Sequence, residues 1–195
     1  NLTTMDMICH GTPSQKILKK YIEELEEQYN SKIKDLKFRD KANGWQTATM
    51  RIEFENGKVI SKLLKQNSYG SALFKSLTYR PSCYNCEFVK DNTMGDITVG
   101  DFWATRVKYQ DMDDNKGISM VIINTEKGKE AFEAIKGDYT CTEIPYEDAF
   151  LGNHVRPVDI KTERQMIFEE LDNNSVSKVL SKYAKKAKTP KNFGG

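Results

Sequence analysis

Met50-Arg51-Ile52-Glu53-Phe54-Glu55-Asn56-Gly57-Lys58-Val59-Ile60 is the most legible stretch of this chain. Met50, Ile52 and Phe54 alternate with charged residues at the period of a half-buried strand. Asn56-Gly57 then supplies a tight hairpin turn, because its backbone requires positive φ that glycine adopts without cost. Val59 and Ile60 begin the return strand. The stretch predicts a β-hairpin near residues 49–62. Helical periodicity on both sides of it gives the expected fold class: α/β (α+β), a mixed β-sheet flanked by helices.

Upstream of the hairpin, Ile33 to Phe38 reads as a short strand. Before it, Ile17, Leu18, Tyr21, Ile22 and Leu25 recur at helical spacing, with Glu23, Glu24, Glu26 and Glu27 on the opposite, solvated side. Thr12-Pro13-Ser14-Gln15 predicts the start of that helix: Thr12 as N-cap, Pro13 in the first turn and Gln15 completing a capping box. Leu2 to Cys9 reads as a strand ending in a turn. Downstream, Ser68 to Leu77 predicts a short helix. Asp96 to Phe102 and Ser119 to Asn124 predict buried strands. Thr125 caps a helix that carries Ala131, Phe132 and Ile135 and ends at Gly137. Tyr139 to Ile144 predicts a further strand, and two helices close the chain near Glu163–Leu171 and Ser175–Lys185. Lys108 to Lys116 reads as a loop. Its Asp111, Asp113 and Asp114 lack the spacing of a calcium loop.

The 195 residues carry 30 Lys and Arg against 28 Asp and Glu, a net charge of +2. This near-neutral balance points to no nucleic-acid partner. Lys178, Lys182, Lys185, Lys186, Lys188 and Lys191 crowd the C-terminus and read as a solvated helix end and tail. The expected organisation is a domain over 1–172 and a basic helix and tail over 173–195. No apolar run reaches membrane-spanning length and no secretory signal is visible, so a cytoplasmic location is expected. The first residue is Asn1, and Leu2 already belongs to an apolar run. The sequence therefore reads as part of a longer protein.

Four cysteines are too few for a disulfide scaffold. Cys83 and Cys86 form a C-x-x-C pair, and Cys9 lies far from them in sequence. Two thiolates at that spacing can share a metal or cluster, and a third closes most of a shell. The spacing alone leaves an iron–sulfur cluster, zinc, dithiol chemistry and plain packing all open. Cys141 falls on the predicted strand 139–144. His10 follows Cys9 directly and suits hydrogen bonding to a cofactor or a neighbouring loop. His154 lies in a predicted surface turn. Gly11-Thr12-Pro13 before a helix offers free N–H groups to an anion. Gly100-Asp101-Phe102-Trp103 ends a strand, with a glycine that permits close approach and an aromatic ring able to stack. No nucleophile elbow, zincin helix or Ser–His–Asp set is present.

Four runs occur in order: Cys9-His10-Gly11-Thr12-Pro13-Ser14; Phe38-Arg39-Asp40-Lys41 with Gly44-Trp45; Arg80-Pro81-Ser82-Cys83-Tyr84-Asn85-Cys86; and Asp96-Ile97-Thr98-Val99-Gly100-Asp101-Phe102-Trp103. Over residues 5 to about 170 the chain resembles the C-terminal domain of the coenzyme F420 hydrogenase/dehydrogenase beta-subunit family. The Cys-His-Gly form is similar to a bacterial branch of it. The resemblance implies an electron-transfer domain of an iron–sulfur flavoprotein oxidoreductase that uses FAD and a [4Fe–4S] cluster. It implies Cys9, Cys83 and Cys86 as cluster ligands, and it places Gly11, Thr12, Gly100 and Asp101 near a cofactor, a role that the donor of His10 and the ring of Trp103 also suit. It further implies an N-terminal ferredoxin-like and flavin-binding portion and a redox partner protein. Ser14 stands where hydrogenase members tend to carry cysteine, which leaves the fourth ligand to Cys141 or to a group outside the chain. The rival expectation is a non-catalytic zinc-binding or protein-interaction module.

Overall fold

The computed structural model describes residues 2–89, 92–153 and 157–186. In chain order the elements are β1 (Met5–Met7), α1 (Gln15–Tyr29), β2 (Ile33–Asp40), β3 (Thr49–Phe54), β4 (Val59–Leu63), α2 (Ser68–Phe74), β5 (Ile97–Asp101), β6 (Ser119–Ile123), α3 (Glu126–Glu133), α4 (Tyr146–Ala149), α5 (Thr162–Glu170) and α6 (Val176–Lys186). The α/β class holds, with helices flanking the strands. Among the described residues the strands form two three-stranded sheets, one mixed (order β1-β5-β6) and one antiparallel (β2-β3-β4). The chain divides into two compact units. Among the described residues the first comprises 2–10, 85–89, 92–153 and 157, and the second 11–84 and 158–186.

The antiparallel sheet belongs to the second unit. The expected hairpin is β3–β4, with Glu53 opposite Val59 across the Asn56-Gly57 turn and Gly57 at φ +82°. Met50, Ile52 and Phe54 face a core built with Ile17, Tyr21 and Leu25 of α1, Tyr69 and Ala72 of α2, and Ile167 of α5. Val179, Leu180 and Tyr183 of α6 complete it, each burial stabilising by about 1.5–3 kcal/mol. The basic C-terminal helix is thus amphipathic, its apolar face being part of this core. Lys188, Lys191 and His154 lie outside the described residues.

In the first unit, β1 runs parallel to β5, and β6 runs antiparallel to it. Two aspartates tie β1 to β5. Asp6 accepts from the N–H groups of Met94 and Gly95, both at 2.8 Å, and from the Thr98 hydroxyl at 2.5 Å. Asp96 accepts from the Thr4 N–H and hydroxyl and from the Thr125 hydroxyl. Phe102, Ala104, Met120, Ala149 and Phe150 form a smaller core on one side of the sheet.

Four local expectations change. Helix α1 starts at Gln15 with Ser14 as N-cap, not at Thr12, because the backbone of Thr12–Ser14 is paired elsewhere. Tyr139–Ile144 is not a strand; it has no regular secondary structure and no ladder partner, and most of its residues are exposed. In β6 the apolar run alternates: Met120 is buried, whereas Val121 and Ile123 are exposed. The expected Ala131–Ile135 helix is α3, capped as predicted by Thr125, but it stops at Glu133 and leaves Ile135 exposed. The loop 108–116 holds a 3-10 turn at Gln110–Met112. In it Asp113 and Asp114 accept from N–H groups two residues ahead, which occupies an oxygen of each in local turns.

Candidate functional site

The motif residues fall into two groups. In the second unit, Thr12–Ser14 pairs with Thr78–Arg80 through an antiparallel bridge between Pro13 and Tyr79. The Ser14 N–H donates to the Thr78 carbonyl at 2.6 Å, and the Arg80 N–H donates to the Thr12 carbonyl at 2.8 Å. Gly11 enters this pairing at φ +136°, and a Cβ there would lie 2.5 Å from Cε2 of Tyr79. Both constraints select glycine.

Cys83 sits on the 3-10 turn Pro81–Asn85. Its Sγ accepts from the Thr12 N–H at 3.3 Å and lies 3.8 Å from the Thr12 carbonyl. The Gly-Thr-Pro run and the C-x-x-C are therefore joined directly, Thr12 to the first cysteine. An N–H aimed at a sulfur tunes any metal or cluster bound to it.

Arg164 and Tyr84 hold this turn. The Arg164 guanidinium donates to the Tyr79 carbonyl from Nε at 3.2 Å and from Nη2 at 3.0 Å, and it lies 5.4 Å from the centre of the Tyr84 ring. The Tyr84 hydroxyl donates to the Ser76 carbonyl at 2.6 Å, and burial pushes the Tyr84 phenol up from its usual range. Ser76 is fully buried at φ +58°, a strained conformation for a residue with a side chain. Arg164 comes from α5, far away in sequence, and no local pattern marks it.

In the first unit, the backbone past β1 continues beside β5, with the Ile8 N–H donating to the Val99 carbonyl at 2.8 Å. Cys9 and Cys141 are exposed and Cys86 is half-buried, all three with free thiols. At Gly100 an added Cβ would meet Met120 Cε at 3.0 Å and Ile8 Cβ at 3.2 Å, so the close approach this glycine permits is to the unit's own core. The Asp101 carbonyl accepts from Asn153 Nδ2 at 3.1 Å. The Arg106 guanidinium lies 4.2 Å from the Trp103 ring centre, and Gly152 packs on the Trp103 Cβ.

Among the described residues no group of three or more His, Cys, Asp or Glu side chains is placed to hold a metal ion. Cys9, Cys86 and Cys141 belong to one unit and Cys83 to the other.

Residues 1–148 match the family described as the C terminus of the coenzyme F420 hydrogenase/dehydrogenase beta subunit. The chain belongs to this family. No curated protein matches the sequence. Among solved structures, the chain is similar to one from the xenon-derivatized F420-reducing [NiFe] hydrogenase complex of Methanosarcina barkeri, at 19% identity and a TM-score of 0.39. The match covers 98% of this chain and 53% of that one, so the chain spans about half its length. Among the described residues no helix is long and apolar enough to cross a membrane.

Proposed function

We propose that this chain is the C-terminal, electron-transfer part of a cytoplasmic oxidoreductase, carried in the full-length protein as an FAD- and iron–sulfur-dependent beta subunit. Membership of the beta-subunit family over residues 1–148 carries this reading. In the finer reading Cys9, Cys83 and Cys86 are thiolate ligands of a [4Fe–4S] cluster. The N–H of Thr12 aimed at the Cys83 sulfur supports that role for Cys83. A cluster supplies single-electron transfer and a flavin supplies hydride transfer. The protein's own contribution is position. Thr12 orients the Cys83 sulfur, Gly11 permits the pairing that places Thr12, and Arg164 fixes the Tyr79 carbonyl beside it. In this reading His10, Gly100, Asp101 and Trp103 neighbour the cofactor. An N-terminal ferredoxin-like and flavin-binding portion and a redox partner protein complete the proposed assembly.

The test is anaerobic purification of the full-length subunit with quantitation of iron, acid-labile sulfide, zinc and flavin. Visible absorption from a cluster and a flavin is expected, with iron lost in Cys9→Ser, Cys83→Ser and Cys86→Ser. A colourless protein holding one tightly bound zinc would overturn the electron-transfer reading in favour of a zinc-binding module. Iron retained in Cys9→Ser would remove Cys9 from the ligand set.

A further inference from the structure

The mixed sheet of the first unit presents an apolar face that nothing in the described chain fully covers. The register places Met5 opposite Ile97 and Ile97 opposite Ile123, and it places Met7 opposite Val99 and Val99 opposite Val121. Side chains of directly opposed residues share one face of a sheet. These six residues therefore form two complete rows across three strands, without a charged member. The other face carries Asp6, Thr98 and Ile122 in one row and Gly100 and Met120 in the next, and it is packed on the unit's core. Helix α3 shelters the Ile97 end, where Gly128 lies against the Ile97 side chain. The rest is open: Met5 is 69% exposed, Met7 66%, Val121 40% and Ile123 37%. β1 is also the sheet's edge, and Leu2, which leads into it, is exposed as well.

The size of the face selects its occupant. The exposed apolar area is on the order of 500 Å², comparable to the patches that mark interaction sites on monomers. Two copies packed face to face would bury on the order of 1,000 Å² in total, the bottom of the range for a stable interface. A segment tethered in the same polypeptide needs far less area, because linkage supplies a high effective concentration. In a beta subunit whose C-terminal region is this chain, the preceding polypeptide joins through Leu2 and Met5, at the margin of this face.

We infer that the polypeptide preceding this region in the full-length subunit docks on the Met5–Met7–Val99–Val121–Ile123 face. The inference rests on the reading of the chain as the C-terminal part of a beta subunit. The occupant presents an apolar strand or helix face, and the thioethers of Met5 and Met7 adapt to its contour.

Methionine oxidation by dilute hydrogen peroxide, mapped by mass spectrometry, tests it on the 195-residue chain and on the full-length subunit. In the chain alone, Met5 and Met7 oxidise quickly and the buried Met120 slowly. In the full-length subunit the rates at Met5 and Met7 are expected to fall by about tenfold or more, towards that of Met120. Unchanged rates there overturn the inference. So does protection that grows with concentration in the chain alone, which assigns the face to a second copy. As a second readout, Val121→Lys leaves the melting of the chain unchanged and lowers that of the full-length subunit. A full-length subunit empty of iron and flavin would sink the proposed function and leave the oxidation pattern readable.

Discussion

At Gly11 two independent constraints meet, a φ of +136° and a ring carbon 2.5 Å from where a methyl group would sit. Gly11→Ala is expected to destabilise the second unit by about 1–3 kcal/mol, measured as a shift in urea midpoint. It is also expected to loosen the Thr12 N–H contact to Cys83, read as faster thiol alkylation at Cys83. Asp96 is a second residue with a definite consequence. Hydrogen bonds from the Thr4 N–H, the Thr125 hydroxyl and the Thr4 hydroxyl, together with Lys127, hold its carboxyl well below the usual carboxylate range. Its folded-state pKa lies under the unfolded one, so the stabilisation is complete above about pH 4 and is lost as pH falls through the acid range below that. Asp6 works in the same direction: burial pushes it up, but bonds from Thr98, Gly95 and Met94 outweigh this and leave it lowered. Asp96→Asn is expected to lower stability at neutral pH and to flatten the acid limb of a stability–pH curve. An unchanged acid limb would mean that the β1–β5 clasp does not carry it.

At the scale of elements, the helix caps give clean tests. Thr125 accepts from the Gly128 N–H at 3.0 Å at the start of α3, and Thr125→Ala is expected to cost about 1 kcal/mol. Leu180 is fully buried in α6, and Leu180→Ala is expected to cost about 2–5 kcal/mol in denaturant titration. A cost below about 1 kcal/mol would show that α6 is peripheral to the core. These same elements mark what was legible in the sequence. The β3–β4 hairpin and the Thr125 cap follow from signals contained in a few adjacent residues, and both were readable. The start of α1 was not. Thr12-Pro13-Ser14-Gln15 has good capping chemistry, but Thr12 and Ser14 spend their backbone groups on Thr78 and Arg80, a partner more than sixty residues away. Tyr139–Ile144 fails for the opposite reason: it has strand-like composition and finds no strand to pair with. The candidate site shows the same division. Thr12 and Cys83 were marked by their motifs, and Tyr84 lies in the same run as Cys83, whereas Arg164 and the strained Ser76 act through folded geometry that no spacing encodes.

For the molecule as a whole, the two units differ in how much they bury. Among the described residues the second unit has a core of seventeen buried apolar residues and the first a core of five. Opening of a unit is governed by the apolar contacts it gives up. Amide hydrogens of β5 and β6 are therefore expected to exchange faster than those of β3, measured by hydrogen exchange on the 195-residue chain. Equal protection would show that the clasp of Asp6 and Asp96 compensates for the smaller core.

The order in which the chain visits its units also bears on how it is made. The second unit opens at Gly11, is interrupted after Tyr84 and resumes only at Val158. Its closure requires partners such as Glu24 and the Ser177 N–H, 153 positions apart. On a ribosome, α1, α2 and the β2–β4 sheet emerge and wait with an unfinished apolar surface while the 85–157 stretch of the other unit is synthesised. Helix α6 is the lid of that waiting core. Long loop closures of this kind slow folding and lengthen exposure of sticky intermediates. Nascent chains stalled before α6 are the ones that a chaperone would be expected to hold.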